Sequence, residues 1–186
     1  MPRPPSIARL AVVLLLTAGL GTTPGARAAT AAEIEARADS AVERLEGNAP
    51  EARRLMRSAK AVLICPRVLK AGIGVGGEYG EGVLRRGGES IEYYSTASAS
   101  IGFQFGAQSK SQFLLFMTDE AVEKFRRADG WEVGVDASVS LLKVGAGGSL
   151  DTTNISDPIV AFVLADRGLM YDASLAGTKI SPIRRD

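Results

Sequence analysis

The feature of this sequence that most restricts its fold is a change of pattern at Ala61. Before this residue apolar side chains recur at helical spacing, whereas after it they alternate and glycine becomes frequent. Alternation is typical of strands, because successive side chains of an extended chain point to opposite faces. Glycine on one face lets a sheet bend or close on itself. The sequence therefore predicts an α+β protein, with an N-terminal helical hairpin packed on a strongly curved, mainly antiparallel β-sheet or partial barrel.

Two helices are predicted before this change. Thr30-Ala31-Ala32-Glu33 is a capping box, in which the threonine oxygen and the glutamate carboxylate satisfy free N–H groups at a helix start. Apolar residues follow at helical spacing, and Gly47 is placed to end this helix. The second helix is predicted to begin near Pro50, whose missing N–H costs nothing in a first turn, and to run to about Lys60.

The strands are predicted from alternation or from short apolar runs at residues 61–64, 97–106, 113–117, 131–141, 159–165 and 169–173. Pro66 is expected to end the first of them. In the second, Ala97 and Ala99 are expected to face the core. Thr118 is predicted to cap a third helix that stops at Gly130. Glycine-containing turns at 86–88 and 166–168 favour antiparallel neighbours.

The N-terminus has the pattern of a cleavable secretory signal peptide. Arg3 and Arg9 precede an apolar run at residues 10–20, and Ala26-Arg27-Ala28 follows as a small-x-small cleavage site. The run is shorter than the about 20 residues that span a bilayer. We predict cleavage after Ala28, so that residues 1–28 are removed and residues 29–186 form a single domain. An uncleaved anchor or a buried core helix is the alternative interpretation.

Charge and residue types restrict the function. Without residues 1–28 the chain has 19 basic and 21 acidic residues, a net charge of −2, which argues against nucleic acid as the partner. The sequence contains no histidine, so Ser-His-Asp and Cys-His catalysis are excluded. The single cysteine, Cys65, cannot form an internal disulfide and is interpreted as a small buried hydrophobe. We predict no metal and no cofactor.

Two further patterns could indicate chemistry. Gly72-Ile73-Gly74-Val75-Gly76-Gly77 matches a nucleotide-binding motif, but glycine continues where that motif needs a helix, so we predict a glycine-lined strand over which another element packs closely. Paired carboxylates can hydrolyse glycosides without histidine. Glu78, Glu81 and Asp136 are the candidates, and they are interpreted as solvated charges on outer strand faces.

A basic segment is the strongest functional signal from the residues themselves. Its members are Arg53, Arg54, Arg57, Lys60, Arg67 and Lys70, with Glu51 as the one acid among them. In the helical part, Leu55 and Met56 lie on the opposite face from Arg53 and Arg57. Such a helix can lie on an anionic membrane, where each basic residue contributes about 1 kcal/mol. Alternatively, the apolar residues are core and the arginines a solvated face.

Several sequence blocks together resemble the SYLF domain family. They are Ala61-Val62-Leu63-Ile64-Cys65-Pro66, Lys70-Ala71-Gly72 through Gly77 with Gly80 and Gly82, Ser100-Ile101-Gly102-Phe103-Gln104-Phe105-Gly106, and the segment from Gly168 to Ile180. The resemblance covers nearly the whole mature chain. It implies a non-enzymatic lipid-binding module, since eukaryotic relatives bind phosphoinositides through their N-terminal part and some bind actin filaments.

This chain differs from those relatives in its secretory signal and in having no attached SH3 or FYVE domain. We therefore expect an exported protein, periplasmic or extracellular, that contacts anionic phospholipid headgroups of a bacterial envelope as a peripheral membrane protein. By the resemblance, residues 53–60 and 66–70 correspond to the lipid-contacting end. The alternative function is a structural protein–protein interaction module of the cell envelope.

Overall fold

The computed structural model describes residues 28–102, 108–142, 157–165, 168–169 and 175–186. These contain three helices, which are α1 (Ala31–Asn48), α2 (Pro50–Ser58) and α3 (Asp119–Arg127). The predicted capping box opens α1, because Thr30 Oγ1 accepts from the Glu33 N–H at 3.2 Å and Glu33 Oε2 accepts from the Thr30 N–H at 3.0 Å. The predicted cap of α3 is also present, since the Thr118 hydroxyl oxygen accepts from the Ala121 N–H.

The described strands form one curved, eight-stranded sheet. They are β1 (Ala61–Arg86), β2 (Glu89–Gly102), β3 (Gln108–Phe116), β4 (Trp131–Glu132), β5 (Ser140–Leu141), β6 (Ile159–Ala165), β7 (Gly168–Leu169) and β8 (Lys179–Ile183). The order is β4-β8-β2-β1-β3-β6-β5, with β7 paired to β6. All named pairs are antiparallel except β5 with β6. The α+β class and the strongly curved, mainly antiparallel sheet are confirmed.

The central strand, β1, is much longer than predicted. It runs for 26 residues, and its first part pairs with β3 while its second part pairs with β2. The prediction that Pro66 ends this strand is wrong. The pairing shifts register between Cys65 and Val68, and a proline is tolerated at such a bulge because no ladder hydrogen bond is required of it.

The glycine-lined strand is confirmed, and the element that packs over it is the first part of the same strand. A side chain at Gly80 would lie 2.8 Å from both the carbonyl oxygen of Arg67 and Cγ2 of Val68. One at Gly82 would collide with the Ile64 carbonyl oxygen. Glycine is therefore required here because β1 curves back on itself and its two parts approach within backbone contact.

Apolar cores lie on both faces of the sheet. On one face, α1 contributes Ile34, Ala38, Ala41 and Leu45 to a core completed by β1, β3 and β6. On the other, Phe125 of α3 lies against three aromatic rings, with ring centroids 4.7 to 5.4 Å away in Tyr94, Phe116 and Trp131. Strand β3 is accordingly buried on both faces from Lys110 to Phe116. The burial predicted for residues 113–117 is found up to Phe116, whereas Met117 is half-buried and follows the strand.

Two strand predictions need correction. Ala97 and Ala99 are exposed, whereas Tyr94 and Thr96 are buried, so the inward face of β2 is the opposite of the predicted one. Residues 131–141 do not form one strand, because a turn at Gly134, with φ of 87°, separates β4 from β5. The predictions that fall on residues 1–27, 103–107, 143–156, 166–167 and 170–174 lie outside the described residues.

Candidate functional site: two basic surfaces

The first basic surface, here called the α2 surface, consists of Arg53, Arg54, Arg57 and Lys60. All four side chains are exposed, whereas Ala52 is buried and Leu55 and Met56 pack half-buried against the core under α1. This confirms the amphipathic division predicted for the helix. Because the fold occupies the apolar face, α2 presents only its charged side to the outside.

The members of the α2 surface differ in their partners. Arg53 Nε lies 2.8 Å from Glu46 Oε2, so its charge is shared with a carboxylate of α1. Within the described part of the chain, Arg54, Arg57 and Lys60 form no ion pair. Three neighbouring cations are therefore left for an external anion.

The remaining two predicted binding residues lie elsewhere. Lys70 is half-buried, and its Nζ lies 3.8 Å from Glu78 Oε1, whose second oxygen is 2.6 Å from Lys110 Nζ. Arg67 is exposed at the bulge of β1. The six predicted cations therefore do not share one surface, since Lys70 points toward an internal carboxylate and Arg67 lies against α1.

The second basic surface is a cavity of about 850 Å³ between α1 and the bulge of β1, here called the α1 groove. Its lining is Ala36, Arg37, Ser40, Arg44, Asn48, Pro66, Arg67, Ser109, Leu164 and Ala165. The described part of this lining contains three arginines and no acidic residue. A cavity of about 310 Å³ continues it past Arg37, Pro66 and Arg67 to Leu69 and Tyr79.

A chain of hydrogen bonds fixes one wall of the groove. Arg44 Nη2 donates to Ser111 Oγ at 3.2 Å, and that hydroxyl donates to the Pro66 carbonyl oxygen at 2.7 Å. The Arg44 side chain of α1 is thereby connected, through Ser111 of β3, to the bulge that carries Arg67. The groove is consequently a preformed feature of the fold, which lowers the ordering cost of binding.

Of the carboxylates considered for acid–base chemistry, Glu78 and Glu81 are held in ion pairs, whereas Asp136 Oδ2 accepts from the Glu132 N–H at 2.6 Å. The side chains of Glu78 and Glu81 are 10% and 11% exposed, so their interpretation as solvated charges is wrong. Glu81 accepts from Arg185. Burial alone would raise the pKa of Glu81, but hydrogen bonds from Arg185 and Tyr79 outweigh it and lower the pKa below its ordinary value. Glu81 is thus a poor proton donor.

Cys65 is confirmed as a buried residue. Its side chain is 0% exposed, and burial raises the pKa of its thiol to about 12. The nucleophilic thiolate is therefore scarce at neutral pH. Among the residues that the structure describes, no helix combines the length and the apolar character needed to cross a bilayer.

Arg37 and Arg44 are groove residues that the sequence interpretation missed. They are seven residues apart on α1, with Ser40 between them, a spacing that places all three on one side of a helix. That signal was available in the sequence. Their proximity to Arg67 was not, because it depends on how α1 packs against β1.

Comparison with known proteins gives one family. Residues 97–186 match the Ysc84 family, described as Las17-binding protein actin regulator. The match confirms the predicted resemblance to the SYLF family. This is a family of binding domains rather than of enzymes, which agrees with a binding module. A search of curated proteins finds no match to the chain.

Proposed function

We propose, on the premise that residues 97–186 belong to the Ysc84 (SYLF) family, that this protein is an exported, non-enzymatic module that binds anionic phospholipid headgroups at a membrane surface. The observation that carries the proposal is the α2 surface, where Arg54, Arg57 and Lys60 are exposed and have no ion pair within the described ranges. The membrane would be that of a bacterial envelope, with the protein periplasmic or extracellular and peripheral to it.

The geometry of α2 supports electrostatic contact rather than insertion. At about 100° per residue, Arg53, Arg54 and Arg57 fall within one arc opposite buried Ala52. The apolar side of the helix packs against the core under α1, with Ala52 buried and Leu55 and Met56 half-buried, so it leaves little surface for acyl chains. Three cations near an anionic surface contribute about 3 kcal/mol, so binding is reversible and weakens with salt.

The test is co-sedimentation of the mature protein with phosphatidylglycerol vesicles and with neutral phosphatidylcholine vesicles. We expect binding to the first only, and at least a tenfold loss of affinity in a triple variant, Arg54→Gln/Arg57→Gln/Lys60→Gln. The matched control is Arg127→Gln/Lys179→Gln/Arg184→Gln, which removes the same charge from exposed positions on α3 and near the C-terminus. Equal binding to both vesicle types, or equal losses in the two triple variants, would refute the proposal.

Export is part of the proposal and has its own test. Ala28 is exposed in the irregular segment before α1, so cleavage after it leaves the capped helix intact. We expect mass spectrometry of the protein made in a bacterial host to show an N-terminus at Ala29. A retained N-terminal segment would contradict export by this route.

A second candidate function is a structural protein–protein interaction module of the envelope. The description of the Ysc84 family as Las17-binding favours it. Val135, which is 73% exposed at a turn, is the residue chosen to test it. A purified partner that binds the triple variant of the α2 surface normally but not Val135→Ser would favour this function over lipid binding.

A further inference from the structure

We infer that the α1 groove binds the phosphate ester headgroup of an anionic amphiphile. The inference rests on the proposed function for the kind of ligand, but it uses a different set of residues. The α2 surface attracts the protein to a charged membrane, whereas the α1 groove would hold a single headgroup. The two sites can therefore fail separately.

The first argument is the distribution of charge around α1. One flank carries Glu35, Asp39 and Glu46. Glu35 and Asp39 form ion pairs with Arg85, and Glu46 forms one with Arg53. The other flank carries Arg37 and Arg44, and among the residues that the structure describes the lining of the larger cavity holds no carboxylate. A concave surface whose described charged groups are all positive is suited to an anion.

The second argument is the chemistry of the donors. Within the described ranges Arg37 and Arg67 form no ion pair, and both line each of the two connected cavities. A guanidinium presents N–H donors in a planar fork that matches two phosphate oxygens. Ser40, Asn48 and Ser109 add hydroxyl and amide groups of the kind that bind a polyol.

The third argument is the apolar end of the groove. Beyond Arg67 the smaller cavity is lined by Leu69 and Tyr79, which are 42% and 53% exposed and rank among the few large apolar side chains exposed in the described part of the chain. Glu81 also lines this cavity, but its carboxylate is paired with Arg185. An apolar surface beside unpaired arginines fits a molecule with a phosphate at one end and hydrocarbon at the other. The volume of about 850 Å³ lies within the range of about 300 to 1,000 Å³ usual for small-molecule sites.

The experiment is an NMR titration of the mature protein, following backbone amide signals and the Nε–H signals of arginine. The probes are glycerol 3-phosphate, glycerol, and dihexanoylphosphatidylglycerol below its micelle concentration. The groove variant is Arg37→Gln/Arg67→Gln, and its matched control is Arg127→Gln/Arg184→Gln, which removes two exposed arginines that lie outside both proposed sites. Unchanged amide spectra away from the substitutions establish that each variant is folded.

We expect the short-chain lipid to shift signals of α1 and of residues 66–69, and its affinity to fall at least tenfold in the groove variant while changing less than twofold in the control. Leu69→Ser should weaken the lipid but not glycerol 3-phosphate. If both phosphates bind equally and Leu69→Ser has no effect, the site takes a soluble phosphate ester and the amphiphile is refuted.

No shift with either phosphate, or equal losses in the two double variants, would overturn the groove as a site altogether. The proposed function is separable from this outcome. Vesicle binding retained in Arg54→Gln/Arg57→Gln, together with loss of the short-chain lipid in the groove variant, would refute the membrane-surface contact and leave the groove.

Discussion

The two flanks of α1 carry opposite charge and differ in whether the rest of the protein supplies ion-pair partners. On the acidic flank, Arg85 binds both Glu35 and Asp39, with Nη1 2.6 Å from Asp39 Oδ1, and Tyr93 adds a hydrogen bond to Glu35 at 2.9 Å. On the basic flank, Arg37 lines the α1 groove, where the described lining residues include no acid. The acidic flank is satisfied internally, whereas the basic flank is open.

This difference separates charges that hold the structure from charges available to a ligand. An ion pair that is partly removed from water leaves an uncompensated group when one partner is deleted. An exposed cation without a partner can be deleted at little cost to folding. Stability and binding should therefore respond to different arginines, and each of the following experiments tests that separation.

The largest effect on stability is expected for Arg85→Ala. The substitution leaves the Glu35 carboxylate half-buried beside Tyr93 with no cation, so we expect the free energy of unfolding to fall by about 1–3 kcal/mol in urea denaturation. Arg37→Ala is the matched change on the open flank and should alter it by less than about 0.5 kcal/mol. Equal changes in the free energy of unfolding for the two substitutions would show that the two flanks of α1 do not differ in their contribution to stability.

Of the two flanks of α1, only the acidic flank should contribute a stability that depends on pH in the acid range. Burial alone would raise the pKa of Glu35, but hydrogen bonds from Ser90, Arg85 and Tyr93 outweigh it and lower the pKa. Ionised Glu35 therefore stabilises the fold above the pKa of about 4.3 of an unfolded glutamate, and this contribution is lost as the pH falls through the lower folded pKa.

The measurement is the urea midpoint of unfolding between pH 6 and pH 3. The wild type should lose more stability below about pH 4.3 than Glu35→Gln, which has no carboxylate to protonate. Arginine stays charged throughout this range, so the open flank contributes no such slope. Parallel pH profiles of the two proteins would show that the network around Arg85 does not stabilise the fold.

The smallest effects are expected within the α2 surface, from comparing Arg53→Ala with Arg54→Ala. Arg53 is exposed and paired with Glu46, so its loss should cost about 0.2–1 kcal/mol of stability. Arg54 has no ion pair in the described ranges, so its loss should leave stability unchanged and reduce vesicle binding about fivefold, as expected for about 1 kcal/mol. A larger loss of vesicle binding for Arg53→Ala than for Arg54→Ala would show that Arg53, rather than Arg54, is the residue available to the membrane.

Local signals in the sequence predicted the secondary structure well where one or two residues control it. The capping box at Thr30, the cap at Thr118 and the turn at Gly87 and Gly88, with φ of 61° and 89°, were all found where predicted. Each acts over four residues or fewer. The failures occur where contacts between distant residues determine the structure. Pro66 is an example, because the pairing of β1 with β3 on either side of it forms a bulge that accommodates the proline.

The candidate sites show the same division. The sequence identified the α2 surface because Arg53, Arg54 and Arg57 share one helix side with helical spacing. It grouped Lys70 with them, although Lys70 is half-buried and its Nζ lies 3.8 Å from Glu78 Oε1. It missed the α1 groove because Arg37 and Arg67 are thirty positions apart and meet only when α1 packs on the bulge.

By itself the sequence determined the helices α1, α2 and α3, the glycine positions that let β1 fold over itself, and the exclusion of histidine chemistry, since all of these depend on residue type and short-range geometry. Only the tertiary structure decided which cations are free. Whether an arginine is available depends on a carboxylate that can lie far along the chain, as Asp39 does from Arg85, at a separation of 46 residues. Coulomb attraction acts through space, and only the folded chain sets those distances.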